Sequence, residues 1–121
     1  MIEKSLFSKT YFLAVDIGNT HTAIGLFQGD HLIKDWRLHT DREITSDELA
    51  VILDQLCQFS GIRLGDIDDI IISCVVPPLI HTWKNLALNY ISKDALIIQD
   101  EIPIKMPICY KRPYELGADR L

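Results

Sequence analysis

Tyr11-Phe12-Leu13-Ala14-Val15-Asp16-Ile17, then Gly18-Asn19-Thr20, then His21-Thr22-Ala23-Ile24-Gly25-Leu26-Phe27-Gln28 is the stretch on which the fold turns. Two runs rich in apolar, β-branched and aromatic residues flank a break of turn formers, which reads as two strands, Tyr11 to Ile17 and His21 to Gln28, closed by a hairpin. A third strand, His31 to His39, follows a second break at Gly29-Asp30. The period then changes. Thr45-Ser46-Asp47-Glu48 offers a capping box, and Leu49, Ile52, Leu53, Leu56 and Cys57 recur at helical spacing until Gly61 ends the run. Ile70 to Val76 is continuously apolar apart from Ser73, the pattern of a strand covered on both faces, and Pro77-Pro78 stops it. From Leu79 to Ser92 a second helix would carry Ile80, Trp83, Leu86, Ala87, Tyr90 and Ile91 on one side, before a short strand at Ala95 to Gln99.

The resulting order, β-β-β-α-β-α-β, predicts an α/β domain with a mixed sheet and helices packed against it. It is the ribonuclease-H-like order found in actin-like ATPases, sugar kinases and some nucleases, a frame that hosts many chemistries and fixes none. Residues 1–10 read as a tail and 11–121 as one domain, large enough to bury roughly two-thirds of its unfolded surface.

Composition narrows the function classes. Hydrophobic residues at 48% against 24% charged give the balance of a packed protein, not of a disordered one. A net charge of −5, with Lys111-Arg112 as the longest basic run, lacks the electrostatic footprint of a nucleic-acid binder. Cys57, Cys74 and Cys109 are odd in number and form no C-x-x-C pair, which argues against a disulfide framework or a zinc site. The apolar run from Tyr11 is cut at Asp16, too short for a signal peptide or a membrane span, so a cytoplasmic protein is expected.

The chemistry-bearing residues begin at the first turn. Asp16-Ile17-Gly18-Asn19-Thr20 sets a carboxylate at a strand end beside a tight turn of backbone N–H groups. Gly18 would let the backbone approach an anion, Asn19, Thr20 and Thr22 would donate hydrogen bonds, and Asp16 could hold Mg²⁺ directly or through water. The pentapeptide alone reads first as a plain hairpin turn with a solvated Asp; the buried strands on both sides, with Phe12, Ala14 and Ile24, favour the phosphate site. Near the far end, Tyr110-Lys111-Arg112-Pro113-Tyr114-Glu115-Leu116-Gly117-Ala118-Asp119-Arg120 places a carboxylate next to a guanidinium after a Pro-led turn into a helix. By itself that pair also reads as a helix-surface ion pair.

Taken together, three motifs resemble those of the type III pantothenate kinase family: Asp16 to Thr20 as Asp-x-Gly-Asn-Thr, Ser73 to Pro77 as Ser-Cys-Val-Val-Pro, and Gly117 to Arg120 as Gly-Ala-Asp-Arg. The resemblance runs from about Tyr11 to Leu121. It implies ATP-dependent phosphorylation of pantothenate to 4'-phosphopantothenate, the first step toward coenzyme A, in the actin and sugar-kinase superfamily. Asp16 would then position Mg²⁺, with Gly18, Asn19, Thr20 and Thr22 on the ATP phosphates. Asp119 would be the general base, Arg120 would meet the pantothenate carboxylate, and Tyr110, Gly117 and Ala118 would line the substrate pocket. The family also carries a second lobe with another phosphate loop, the adenosine pocket, a K⁺ or NH₄⁺ site and most of a homodimer contact. Asp-x-Gly occurs once here, at Asp16-Ile17-Gly18. The expectation is therefore a first, phosphate-binding lobe whose second lobe is absent: an excised fragment, a truncated reading frame or one piece of a split enzyme, inactive alone.

Two other functions fit the strand order. A non-catalytic ATP-binding regulator resembling the accessory factors related to this family would not need a base beside a carboxylate-reading Arg. A two-metal nuclease would need several carboxylates converging near Asp16, whereas Asp68 and Asp69 sit at the opposite end of their strand. His21, His31, His39 and His81 lack metal-ligand spacing, and Trp36 and Trp83 suit the core.

Overall fold

The computed structural model describes residues 10–98 of the chain. Strands β1 (Tyr11–Ile17), β2 (His21–Gln28) and β3 (His31–His39) are followed by helix α1 (Ser46–Gln58), a 3₁₀ turn (Leu64–Asp66), strand β4 (Asp69–Cys74), helix α2 (Pro77–Leu86), a π turn (Ala87–Ile91) and strand β5 (Leu96–Ile98). They form one five-stranded sheet in the order β3-β2-β1-β4-β5. β1 runs antiparallel to β2, from Tyr11 opposite Gln28 to Ile17 opposite Thr22, and β2 antiparallel to β3, with a bulge between Leu26 and Phe27. β4 lies parallel to β1, pairing Asp16 with Ser73 and Ile17 with Cys74, and β5 lies parallel to β4.

Strand alternation splits the apolar residues between the two faces. Leu13, Val15 and Ile17 of β1, Ile24 and Leu26 of β2, and Ile70 and Ile72 of β4 join Leu49, Leu53 and Cys57 of α1 and Leu79, Trp83 and Leu86 of α2 in the main core. Ala14, Phe27 and Ile98 form a smaller cluster on the other face, flanked by Phe12, Ala23, Leu32 and Ile71, where Phe12 and Phe27 stack with centroids 4.9 Å apart. Asp16 has the parity of Phe12 and Ala14, and Thr22 that of Ile24 and Leu26. Their side chains therefore leave the sheet on opposite faces.

The helix signals act as the sequence implies. Thr45 and Glu48 form a reciprocal capping box, Glu48 N donating to Thr45 Oγ1 at 3.1 Å and Thr45 N to Glu48 Oε1 at 2.9 Å. At the other end Gly61, at φ 74°, turns the chain out. Gly61 N donates to Gln58 O at 2.9 Å and Ile62 N to Cys57 O at 3.1 Å, the paired bonds of a Schellman closure, with Ile62 and Cys57 both buried.

Three expectations need correction. The ladder of β4 ends at Cys74 rather than Val76, because Cys74 Sγ takes a hydrogen bond from Val76 N at 3.3 Å and donates to Val76 O at 3.1 Å, turning the chain. Pro77 and Pro78 open α2 instead of separating it from the strand, since the first helical turn needs no N–H from them. Tyr90, placed on the buried stripe by its spacing, is 41% exposed. The π turn inserts an extra residue per turn there and rotates Tyr90 outward, where its hydroxyl donates to Asp47 of α1. Among the described residues, no helix is long and apolar enough to cross a membrane.

Candidate functional site

Four polar side chains end up buried at one end of the sheet, the carboxyl end of β1 and β4 where the amino ends of both helices also lie. Asp16 is 8% exposed, Thr22 5% and Ser73 6%, and Thr40, just beyond β3, is buried with them. Open α/β sheets place ligands outside the carboxyl ends of their strands. Asp16 and Ser73 are lateral neighbours on β1 and β4, so the first two resembling motifs, distant in sequence, meet across one pair of strands.

The first turn is shaped differently from a glycine-dependent hairpin. None of Gly18, Asn19 and Thr20 has a positive φ, whereas Gly29 in the next hairpin does, at 62°. Gly18 suits the turn for a different reason: a Cβ there would stand 3.1 Å from the His21 carbonyl oxygen, a tight contact. Its N–H is held within the turn, donating to that same oxygen at 2.9 Å. The N–H groups of Asn19 and Thr20 donate to no other described backbone group, which leaves them as the backbone donors at the tip.

Thr40 braces this turn from β3. Its N–H donates to Thr20 O at 2.8 Å and its hydroxyl to Gly18 O at 2.8 Å. Since the one Thr40 hydroxyl proton goes to a carbonyl, the 2.9 Å contact between Thr22 Oγ1 and Thr40 Oγ1 has Thr22 as donor. The Thr22 hydroxyl proton is thus directed inward, away from the Asp16 face, and Thr22 serves the turn as a support. At the tip, Arg42 Nη2 donates to Asn19 Oδ1 at 3.0 Å.

Beside the turn, on the helix face, lies a cavity of about 600 Å³. Thr22, Thr40, Asp41 and Arg42 make its polar lip, and Leu38, Ile44, Leu49, Ile52, Leu79 and Trp83 its apolar wall. No group of three or more His, Cys, Asp or Glu able to hold a metal exists among the described residues. A single buried hard carboxylate, Asp16, fits Mg²⁺, which keeps several waters and takes phosphate oxygens, better than an ion needing an all-protein cage. The converging carboxylates of a two-metal nuclease are not assembled among the described residues.

Asp16, Gly18, Asn19 and Thr20 therefore come together in one turn, with Thr22 beneath it on the far face. Tyr110, Gly117, Ala118, Asp119 and Arg120 lie outside the described residues. Sequence reading missed Thr40 and Arg42. Their signal was the strand order itself, because β3 runs back antiparallel and sets His39 opposite His21, delivering the residues that follow it to the first turn.

A sequence model of the type III pantothenate kinase family matches residues 12–121. Curated type III pantothenate kinases from Syntrophotalea carbinolica and Geobacter sulfurreducens are 38% and 39% identical over 109 residues, covering 90% of this chain. One from Syntrophus aciditrophicus is 41% identical over the same length. The chain spans 43% of the length of each of these relatives. Among solved structures, YeaZ from Pseudomonas aeruginosa superposes with a TM-score of 0.59 at 16% identity, over 90% of this chain and 50% of that one. A chain of a PilM-PilN type IV pilus biogenesis complex gives 0.53 at 13% identity, over 98% of this chain and 46% of that one. These likenesses show the fold, an α/β domain with a mixed sheet and helices packed against it.

Proposed function

Because the chain belongs to the type III pantothenate kinase family, we propose that the protein transfers the γ-phosphoryl group of ATP to the terminal hydroxyl of pantothenate, giving 4'-phosphopantothenate for coenzyme A synthesis. The observation that carries this reading is the braced turn Gly18 to Thr20 beside the buried carboxylate of Asp16, at the sheet edge where this fold binds ligands.

Phosphoryl transfer passes through a loose transition state and asks chiefly for positioning and charge neutralisation. The tip N–H groups of Asn19 and Thr20 and the Asn19 and Thr20 side chains hold phosphate oxygens. Gly18 keeps the turn close enough to do so, and Asp16 is the residue that would hold Mg²⁺. That ion, when bound, neutralises charge on the phosphate oxygens. Asp119 orients the pantothenate hydroxyl and takes its proton as the new O–P bond forms and the bond from γ-phosphorus to the bridging oxygen breaks, leaving ADP with the bonding pair. Arg120 reads the pantothenate carboxylate with a planar fork, and Tyr110, Gly117 and Ala118 line that pocket.

The residues described here form the first of two lobes in this proposal. The adenosine pocket, the K⁺ or NH₄⁺ site and a homodimer contact belong to the remainder of the family's length, and the site of action is the cytoplasm. The test is a chimera in which residues 12–121 replace the matching stretch of a family member. It should release ADP only when pantothenate is supplied, and Arg120→Lys should raise the KM for pantothenate while leaving that for ATP near its starting value. Pantothenate-independent ADP release, or a selective rise in the KM for ATP, contradicts the assignment.

A further inference from the structure

We propose that Arg42 is a phosphate-positioning residue of the first turn, a role that rests on the phosphate reading of Asp16 to Thr20 and adds to it a side chain from another element. A polyphosphate at this turn brings several negative charges beside the carboxylate of Asp16, so positive charge close by favours its binding. Arg42 brings such charge to the tip of the turn, its Nη2 donating to Asn19 Oδ1 at 3.0 Å.

The chain is built to present it there. Thr40 is tied to the turn twice, by its N–H to Thr20 O and by its hydroxyl to Gly18 O. Asp41 then closes a short turn of its own, with Glu43 N donating to Asp41 Oδ1 at 3.0 Å and Ile44 N to Asp41 O at 3.4 Å. Arg42 sits at the exposed apex between these two anchors. One guanidinium nitrogen holds Asn19, leaving the other N–H groups of the fork for an anion at the tip. The same contact sets the Asn19 amide with Oδ1 toward Arg42 and Nδ2 as the end that can donate to phosphate. Arg42 thereby acts in two ways, as a direct cation and as the group that orients Asn19.

The test follows the amide signals of Asn19 and Thr20 in the isotope-labelled 121-residue chain during titration with inorganic tripolyphosphate. In the parent chain these signals should move with a measurable midpoint. Arg42→Ala should weaken that midpoint about tenfold, the scale of one charge-assisted hydrogen bond. Arg42→Gln, which can still donate to Asn19 but carries no charge, should be weakened too, and Arg42→Lys should fall between. Thermal midpoints should match the parent's, because the side chain is exposed. An unchanged titration midpoint in Arg42→Ala overturns the role of Arg42 while leaving the phosphate turn standing. Equal binding by Arg42→Gln and the parent overturns the direct cationic contact. Unmoved Asn19 and Thr20 signals in the parent chain would refute the phosphate reading itself, and this proposal with it.

Discussion

Thr40 contributes a single buried hydroxyl, yet that hydroxyl links the Gly18 carbonyl to Thr22. Thr40→Ala would leave the buried Thr22 hydroxyl and the half-buried Gly18 carbonyl short of a partner, at a cost of about 1–3 kcal/mol in urea denaturation, while Thr40→Ser should recover most of it. Equal stability of the Ala variant and the parent would show that water replaces the hydroxyl. Gly18→Ala acts through a different cause: a Cβ 3.1 Å from the His21 carbonyl oxygen asks that backbone to shift by a few tenths of an ångström. It should lose on the order of 1 kcal/mol and displace the Asn19 and Thr20 amide signals even without ligand. Asp16, Gly18, Asn19 and Thr20 were legible in the sequence because one short motif contains them. Thr40 and Arg42 were not, because no local pattern marks a residue whose partner is about twenty positions away across a hairpin.

Element boundaries were legible where punctuation is strong. β1, β2 and β3 begin and end at the expected residues, as turn formers flank runs of period two, and the capping box starts α1 as read. The π turn was not legible, since the residues from Ala87 to Ile91 continue the helical spacing and only packing rotates Tyr90 out. Along α1, Asp54 receives Arg63 Nε and Nη2, Leu64 N at 2.7 Å and Gln58 Nε2, joining the helix to the 3₁₀ turn. The hydrogen bond from Arg63 is the main reason the Asp54 carboxyl titrates below its ordinary value. A lowered folded-state value means this stabilisation is fully present above the unfolded carboxyl's range and is lost as pH falls through the folded one. Asp54→Asn should therefore flatten the acid limb of the thermal midpoint against pH, modestly, because the pair is solvent-screened. An identical acid limb removes the link. On the core side of α1, burial pushes the Cys57 thiol up to about 11, so Cys57 should resist alkylation at pH 8 in the folded chain and react once urea unfolds it. Rapid native labelling at Cys57 would contradict that packing.

At the scale of the molecule, the sheet order and the parallel pairing of β1 with β4 give the α/β frame, and the match over residues 12–121 gives the family. The roles proposed for Gly117 to Arg120 rest on family resemblance, because a carboxylate beside a guanidinium has no unique chemistry of its own. These 121 residues by themselves should show no pantothenate phosphorylation with ATP, Mg²⁺ and K⁺ supplied. Alignment of hydroxyl and phosphoryl group contributes on the order of 7 kcal/mol or more to such reactions, and it needs phosphate contacts from two sides. The most direct test of the account is the pantothenate-dependent turnover of the chimera carrying Asp16→Ala, measured by coupled ADP release beside a thermal melt. The account predicts a loss of about a hundredfold or more in kcat, the scale of removing a key electrostatic group, with the melting temperature within a few degrees of the parent; turnover at the parent rate would contradict it.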